Sequence, residues 1–186
     1  MGKARWLIFV GILVVAGLWG FGAYNALVQR QESIRESWSQ VENVLQRRYD
    51  LIPNLVNTVK GYAAHERSLL EEVTRLRSQW GQANTVDEKV AATQQLESAL
   101  ARLMVVVERY PDLKANQNFL ALQDELAGTE NRIAVERRRY NEAVKSYNVT
   151  VRGFPSNLVA KVTGFAPSRA YFESAAEAKQ APKVEF

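Results

Sequence analysis

From Trp6 to Gln29 the chain carries no charged residue, and the apolar run within that stretch leads directly into a charged, heptad-patterned segment. That junction constrains the fold more than any other feature. The core of the run is WLIFVGILVVAGLWGFGAY, Trp6 to Tyr24. As an α-helix it spans roughly 28 Å, close to the thickness of a bilayer's hydrocarbon layer. Trp6, Trp19 and Tyr24 fall near its ends, where amphipathic rings favour the membrane interface. A transmembrane helix is therefore expected over residues 6–29, behind a basic N-terminal tail of residues 1–5. The rival reading is a cleaved signal peptide, with Lys3 and Arg5 as its basic flank and Gly20, Gly22 and Ala23 near the cleavage site. The run is long for that role, and no Ala-x-Ala motif ends it. The chain contains no cysteine, which argues against a lipid-anchored N-terminus.

Lys3, Arg5 and the terminal amine favour a cytoplasmic N-terminus, with the body on the outer side of the membrane. Arg30 and Arg35 on the other flank reduce the asymmetry. Gly11, Ala16, Gly17 and Gly20 supply small residues that permit close helix approach within the span. They read either as a self-association face or as the ordinary glycine content of a membrane helix.

The remainder of the 186 residues is long enough for one domain with one core. The formal net charge is +4, and Lys3 and Arg5 supply half of it. The body is thus nearly balanced, and the basic balance gives no argument for nucleic acid. Without cysteine there are neither disulfides nor thiolate metal sites. Proline occurs only at 53, 111, 155, 167 and 182, and alternating strand patterns are missing. The body is expected to be all-α.

Four long helices follow from the apolar spacing, over about 25–52, 53–80, 86–110 and 112–152. The first places Leu27, Ile34, Trp38, Val41, Leu45 and Ile52 on one stripe and ends at Pro53. The second has the most regular seam, Leu55, Val59, Tyr62, Glu66, Leu69, Val73, Leu76 and Trp80. Thr85 and Glu88 have capping-box spacing at the start of the third, whose stripe is Val86, Val90, Thr93, Leu96, Leu100, Leu103, Val107 and Tyr110. The fourth carries Phe119, Leu122, Leu126, Thr129, Ile133, Glu136, Tyr140, Val144, Tyr147 and Val151, and Gly153 ends it. A short helix is expected over 155–162 with Phe154 and Phe165 as anchors, and residues 166–186 read as a loose tail. The short connections imply an antiparallel up-down-up-down four-helix bundle over residues 30–165. Tyr24 to Arg35 contains no helix breaker, so the span is expected to continue into the first helix. The alternative is a hinge near Gly20 and Gly22.

No residue constellation names a reaction. A di-metal bundle site needs Glu-x-x-His on two helices, and the chain has one histidine, His65. No nucleophile elbow and no glycine-rich phosphate loop occur. Catalytic, cofactor and metal residues are therefore expected to be none. The sequon Asn148-Val149-Thr150 lies on a predicted helix and is read as chance. Gln31, Glu66, Thr93, Thr129 and Glu136 interrupt the apolar stripes and read as polar residues that set register. The buried carboxylates among them need partners, for which Arg48, Lys60, Arg102 and Arg132 are available. Arg138, Arg139, Lys145 and Arg152 belong to a basic run on the fourth helix. Such a run usually reads as a solvated face, and the rival reading is contact with anionic lipid or an acidic partner. In an up-down-up-down order the end of helix four lies beside the start of helix one, which puts Lys145 and Arg152 close to the membrane and makes lipid headgroups a concrete expected contact.

Three stretches carry a family resemblance: RRYDLIPNLVNTVKGYAAHE at 47–66, ERYPDLKANQNFLALQDELAGTENRIAVERRRYNEAVKSYN at 108–148, and FPSNLVAKVTGF at 154–165. Together with the membrane exit GAYNALVQRQE they resemble the LemA family over nearly the whole chain. That resemblance implies an N-terminal membrane helix with an antiparallel helical bundle and no established enzymatic activity. Some relatives carry a lipoprotein cysteine before the Tyr-Asn pair, where this chain has Gly22 and Ala23, which implies a body outside the cytoplasmic membrane. Members linked to membrane-organelle formation and membrane stress imply a non-enzymatic scaffold or self-assembling subunit in contact with the bilayer. An adaptor for a membrane protease or stress-response protein is the alternative, and a metalloenzyme a remote one.

Overall fold

The computed structural model describes residues 2–168 and 171–172, and every regular element among them is helical. The elements are α1 (Gly2–Asp50), α2 (Ile52–Lys60), one 3-10 turn (Ala64–Glu66), α3 (Arg67–Gln82), α4 (Val86–Val107), α5 (Pro111–Lys114), α6 (Gln117–Arg152) and α7 (Ser156–Thr163). Among the described residues, 2–40 with 138–168 and 171 form one compact unit. Residues 41–137 with Phe172 form a second.

The backbone of α1 runs unbroken through the uncharged stretch and into the heptads, so no hinge opens at Gly20 or Gly22. No part of its most apolar window is covered by protein. Trp6, Phe9, Val15, Leu18 and Phe21 are all exposed. At Leu27 the pattern changes. Leu27 is fully buried, and it packs with Tyr147 and Val151 of α6 and Ala160 of α7, with Ile34, Val159 and Phe165 alongside. Two edge-on ring pairs extend this core, Tyr24–Phe165 at 5.8 Å and Trp38–Tyr140 at 5.6 Å between centroids. Each such pair contributes about 0.5–1.5 kcal/mol beyond area burial.

The second unit is built from the end of α1 through most of α6. Val41, Leu45, Tyr49, Leu55, Val59, Val73, Leu96, Leu103, Leu113, Phe119 and Ile133 are all buried in it. The stripes expected for the third and fourth helices are the faces that the structure buries. The second expected helix is different, because residues 53–80 do not form one helix. α2 closes at Gly61, a poor helix former, and Tyr62 N and Ala63 N both bond back to Val59 O. Ala63 then leaves the helical region, with φ −121° and ψ 54°. The break shifts the phase of the seam. Ala63 and Leu70 are buried, whereas Tyr62 is exposed and Leu69 only half-buried. Pro53 does open α2, and α1 stops at Asp50 one residue before the Leu51 bend.

The expected cap of α4 is present. Glu88 N donates to Thr85 Oγ1 at 3.2 Å, and the Glu88 carboxylate accepts from Asn84 N at 2.9 Å and Thr85 N at 3.2 Å. These backbone donors hold the Glu88 carboxyl below its ordinary value. A depressed carboxylate stabilises the fold above its unfolded pKa, and that contribution disappears as pH falls through the folded value. At the far end of the chain, Gly153 and Gly164 meet two steric demands. A Cβ at Gly153 would lie 2.8 Å from the Val149 carbonyl oxygen. Gly164 closes α7 at φ +82°, where other residues are strained.

Thr85→Ala is expected to lower stability by about 1 kcal/mol in urea unfolding at neutral pH. Glu88→Gln should flatten the loss of stability on acidification below the ordinary carboxylate range. An acid limb identical to that of the parent chain would exclude this role for Glu88.

Candidate functional site

The strongest concentration of unusual side chains lies where the last turns of α6 meet α7 and the segment after it. The α6 stripe Tyr140, Val144, Tyr147 and Val151 is buried. Tyr147 and Asn148 are consecutive and both buried, and both reach the segment that follows α7. Tyr147 Oη donates to Ala166 O at 3.0 Å. Asn148 Nδ2 donates to Ser168 O at 2.8 Å while its Oδ1 accepts from Ser168 N at 2.8 Å. Asn148 Nδ2 also reaches Tyr171 Oη at 3.0 Å. One buried amide therefore pairs with both backbone groups of Ser168, as a neighbouring strand would. Burial raises the Tyr147 phenol above its usual range and keeps it a donor. Asn148 is only 7% exposed, so its side chain is committed to the fold and closed to glycosylation. Residues 166–168 and 171–172, expected as the start of a loose tail, are held down by these bonds and by burial of Phe172. The rest of that tail lies outside the described residues.

Around this cluster the basic side chains face outward. Lys145, Arg152, Arg138 and Arg139 are all exposed on α6, as is Lys161 on α7. Arg152 directly follows Val151, which packs against Leu27 at the end of the uncharged stretch.

The second unit holds a separate polar network. Arg48 forms an ion pair with Glu130 on α6, and Arg137 forms one with Glu97 on α4. Burial pulls the Arg48 guanidinium below its usual range, and the nearby Glu97 charge opposes that. Tyr49 lies beside them, 1% exposed, with its ring edge-on to Trp80 at 4.7 Å. Burial holds its phenol well above the usual range. The Tyr49 and Thr93 hydroxyls face one another without closing a well-aligned hydrogen bond. The Arg137 guanidinium also stacks 5.0 Å from the Phe172 ring centroid, a cation–π contact.

The remaining residues singled out in the sequence are dispersed. Glu66 pairs with Arg109 at 2.8 Å and accepts from Tyr110 Oη at 3.2 Å, and neither partner was among the arginines and lysine expected for it. Arg102 pairs with Glu72 instead, at 2.7 Å. Thr93 is fully buried, and Thr129 is buried and donates to Leu126 O at 2.8 Å. Gln31 and Glu136 are half-buried. Gly11, Gly17 and Gly20 lie on α1, and beyond the helix's own neighbouring backbone nothing lies within 4 Å of where a Cβ would stand. Ala16 joins Gly11 in a shallow apolar notch flanked by Ile8, Ile12, Val15 and Trp19. Among the described residues no three His, Asp or Glu side chains converge as a metal ion would require. Sequence reasoning missed Asn148 and Glu97. The available signal for Asn148 was a short polar side chain next to a core tyrosine, a position that demands a hydrogen-bond partner.

Asn148→Ala is expected to destabilise the first unit by about 1–3 kcal/mol, the cost of leaving buried partners unpaired. Hydrogen–deuterium exchange should show faster exchange at Ser168 specifically. Unchanged protection there would exclude the clasp as what holds this segment.

The model of the LemA family matches residues 37–186. The magnetosome protein MamQ 2 of Paramagnetospirillum magneticum is 29% identical over 176 residues, covering 81% of this chain and 64% of that protein. The magnetosome protein MamQ of Magnetospirillum gryphiswaldense is 28% identical over 168 residues, covering 76% of this chain and 62% of that protein. Protein LemA of Metamycoplasma hominis is 27% identical over 165 residues, with 86% and 75% covered. The chain thus spans slightly less than two thirds of the length of the magnetosome relatives. A match that runs from the last turns of α1 through every later helix and the Asn148 clasp establishes that the chain belongs to the LemA family.

Proposed function

We propose that this chain is a single-pass, membrane-anchored, non-enzymatic scaffold or self-assembling subunit in membrane organisation. Its N-terminus lies on the cytoplasmic side and its helical body outside the inner membrane. The observation that carries this reading is the uncovered apolar run of α1, which continues without a break into buried heptads. An apolar surface that large has no stable place in water, and a helix satisfies its own backbone in lipid. The body is best read as an antiparallel four-helix bundle. In support, α3 and α4 pair in opposite chain order: Glu72 of α3 bonds Arg102 of α4, and Glu66 just before α3 bonds Arg109 just after α4. Gln31, Glu66, Thr93, Thr129 and Glu136 then act in register, each making one axial alignment better than its neighbours. The magnetosome name of two relatives supports a role in membrane organisation.

Self-association through the span is the natural use of Gly11, Ala16, Gly17 and Gly20. The chain itself leaves room for side chains at these glycines, so Gly17→Leu with Gly20→Leu should fold normally and insert. Native mass spectrometry of the detergent-solubilised full-length protein is expected to show an oligomer that this pair dissociates. A parent chain that is only monomeric would overturn assembly. Recovery with one stoichiometric membrane protein would favour an adaptor.

Lys145 and Arg152 are assigned to lipid headgroups. Each basic side chain at an anionic surface contributes about 1 kcal/mol. Lys145→Glu with Arg152→Glu should therefore abolish any preference for retaining anionic over zwitterionic lipid in the same measurement. An unchanged preference would exclude the contact.

A further inference from the structure

We propose that α7 is a second membrane-contacting element. It lies in the headgroup layer with Phe154, Leu158 and Val162 inserted into the leaflet that α1 leaves. This rests on the membrane reading given above and adds a docking surface to it.

Position is the first argument. Ala160 of α7 is buried against Leu27, with Val159 and Phe165 packed on the same cluster. The Phe165 ring meets Tyr24 edge-on at 5.8 Å. Tyr24 closes the apolar core of the span, and Leu27 lies roughly 4.5 Å further along the helix axis. The headgroup region on each side of a bilayer is about 5–8 Å deep. α7 is packed at that level.

The character of α7 is the second argument. Its inner face is apolar, as packing on Leu27 requires, and its outer face is apolar too. Phe154 is 83% exposed, Leu158 53% and Val162 88%. Leu158 and Val162 share one helix face at i, i+4 spacing, and Phe154 precedes them by one turn. A short helix with exposed apolar side chains beside polar ones such as Lys161 is suited to lie in the membrane interface, and among the described residues nothing covers Phe154, Leu158 or Val162. Val149, 62% exposed near the end of α6, belongs to the same neighbourhood of the chain. The other large apolar side chains exposed beyond the span among the described residues, Tyr62, Val105, Leu120 and Tyr171, are far apart in sequence. Scattered single residues of that kind are normal on a protein surface.

Polar satisfaction is the third argument. The ends of α7 are largely bonded internally, as suits an element close to the hydrocarbon, while Asn157 Oδ1 is buried without a hydrogen-bond partner. Asn157 N donates to Gly153 O at 2.8 Å, and Leu158 N to Pro155 O at 3.1 Å. At the other end Phe165 N donates to Ala160 O at 2.9 Å. Thr163 Oγ1 donates back to Val159 O at 2.7 Å. Arg152 and Lys161, both exposed, flank the apolar set. Their long stems let the charges reach phosphates while the apolar residues lie deeper. Continuity with the span and these basic flanks select lipid as the occupant over a second copy of the chain.

The absence of cysteine makes the test direct. Leu158→Cys and Val162→Cys are each spin-labelled in the full-length protein, reconstituted into vesicles of mixed phosphatidylglycerol and phosphatidylethanolamine. Leu13→Cys in the span and Val105→Cys on α4 serve as lipid and water references. Collision rates with oxygen and with a water-soluble nickel chelate are then compared. Labels at 158 and 162 are expected to show an oxygen-to-nickel ratio several-fold above that at 105 and approaching that at 13. If 13 is lipid-like while 158 and 162 match 105, α7 does not enter the bilayer and the membrane anchor stands. If 13 itself matches 105, the membrane reading fails and this inference with it. Labels at 158 and 162 that are immobilised and shielded from both reagents would assign the face to protein contact and overturn the proposal.

Discussion

The organising constraint is the change in the apolar surface of α1 at Leu27. On the N-terminal side the helix is apolar on every face and uncovered. On the other side it is apolar along one stripe, and that stripe is buried. Backbone hydrogen bonding alone carries the helix across this change, because no glycine-rich or proline-containing break lies between Tyr24 and Arg35. The packing of Leu27 against Tyr147, Val151 and Ala160 marks where the chain begins to cover itself. The positions of α7, of the Asn148 clasp and of the basic end of α6 all follow from that cluster.

Two kinds of polar interior occur, with different physical effects. The Asn148 clasp joins neutral groups that satisfy one another, so it holds a segment in place without burying charge. The Arg137–Glu97 pair is partly buried, and Arg48 is largely buried opposite a half-exposed Glu130, so desolvation offsets part of the attraction. Such pairs add little net stability compared with apolar side chains of equal volume. They do penalise any arrangement in which one partner is left alone, and that is a discrimination between alignments. Arg137 has a further contact with Phe172, so the same side chain that balances Glu97 also seats the residue following the clasp.

The chemistry of the described residues is that of surfaces and contacts. The pKa shifts within the Arg48–Tyr49 network arise from burial of those two side chains. They involve a phenol pushed upward and a guanidinium that remains charged, neither of which is poised to exchange protons near neutral pH. What distinguishes the molecule is instead an apolar helix without cover, a short apolar helix packed at its end, and basic side chains around both.

Much of this was legible before any coordinates. The uncharged stretch, the heptads of α4 and α6, the Thr85–Glu88 cap and the stop at Gly153 are local. Each depends on residue type and spacing within one or two helical turns, and the LemA-family motifs lie in the same stretches. Other features were decided by tertiary structure because they depend on what arrives from elsewhere in the chain. The even 4-3 spacing through Tyr62 and Glu66 is compatible with one helix, yet packing favoured a break at Gly61–Ala63 that buries Ala63 and Leu70 instead. Glu66 found Arg109, forty-three residues away, rather than any nearer cation. Asn148 looked like an unused sequon, and only the return of the chain at Ser168 gives its amide a purpose. Periodicity determines which face of a helix is apolar. Whether that face meets protein or is left for lipid, as on the outer side of α7, is set by where the other helices stand.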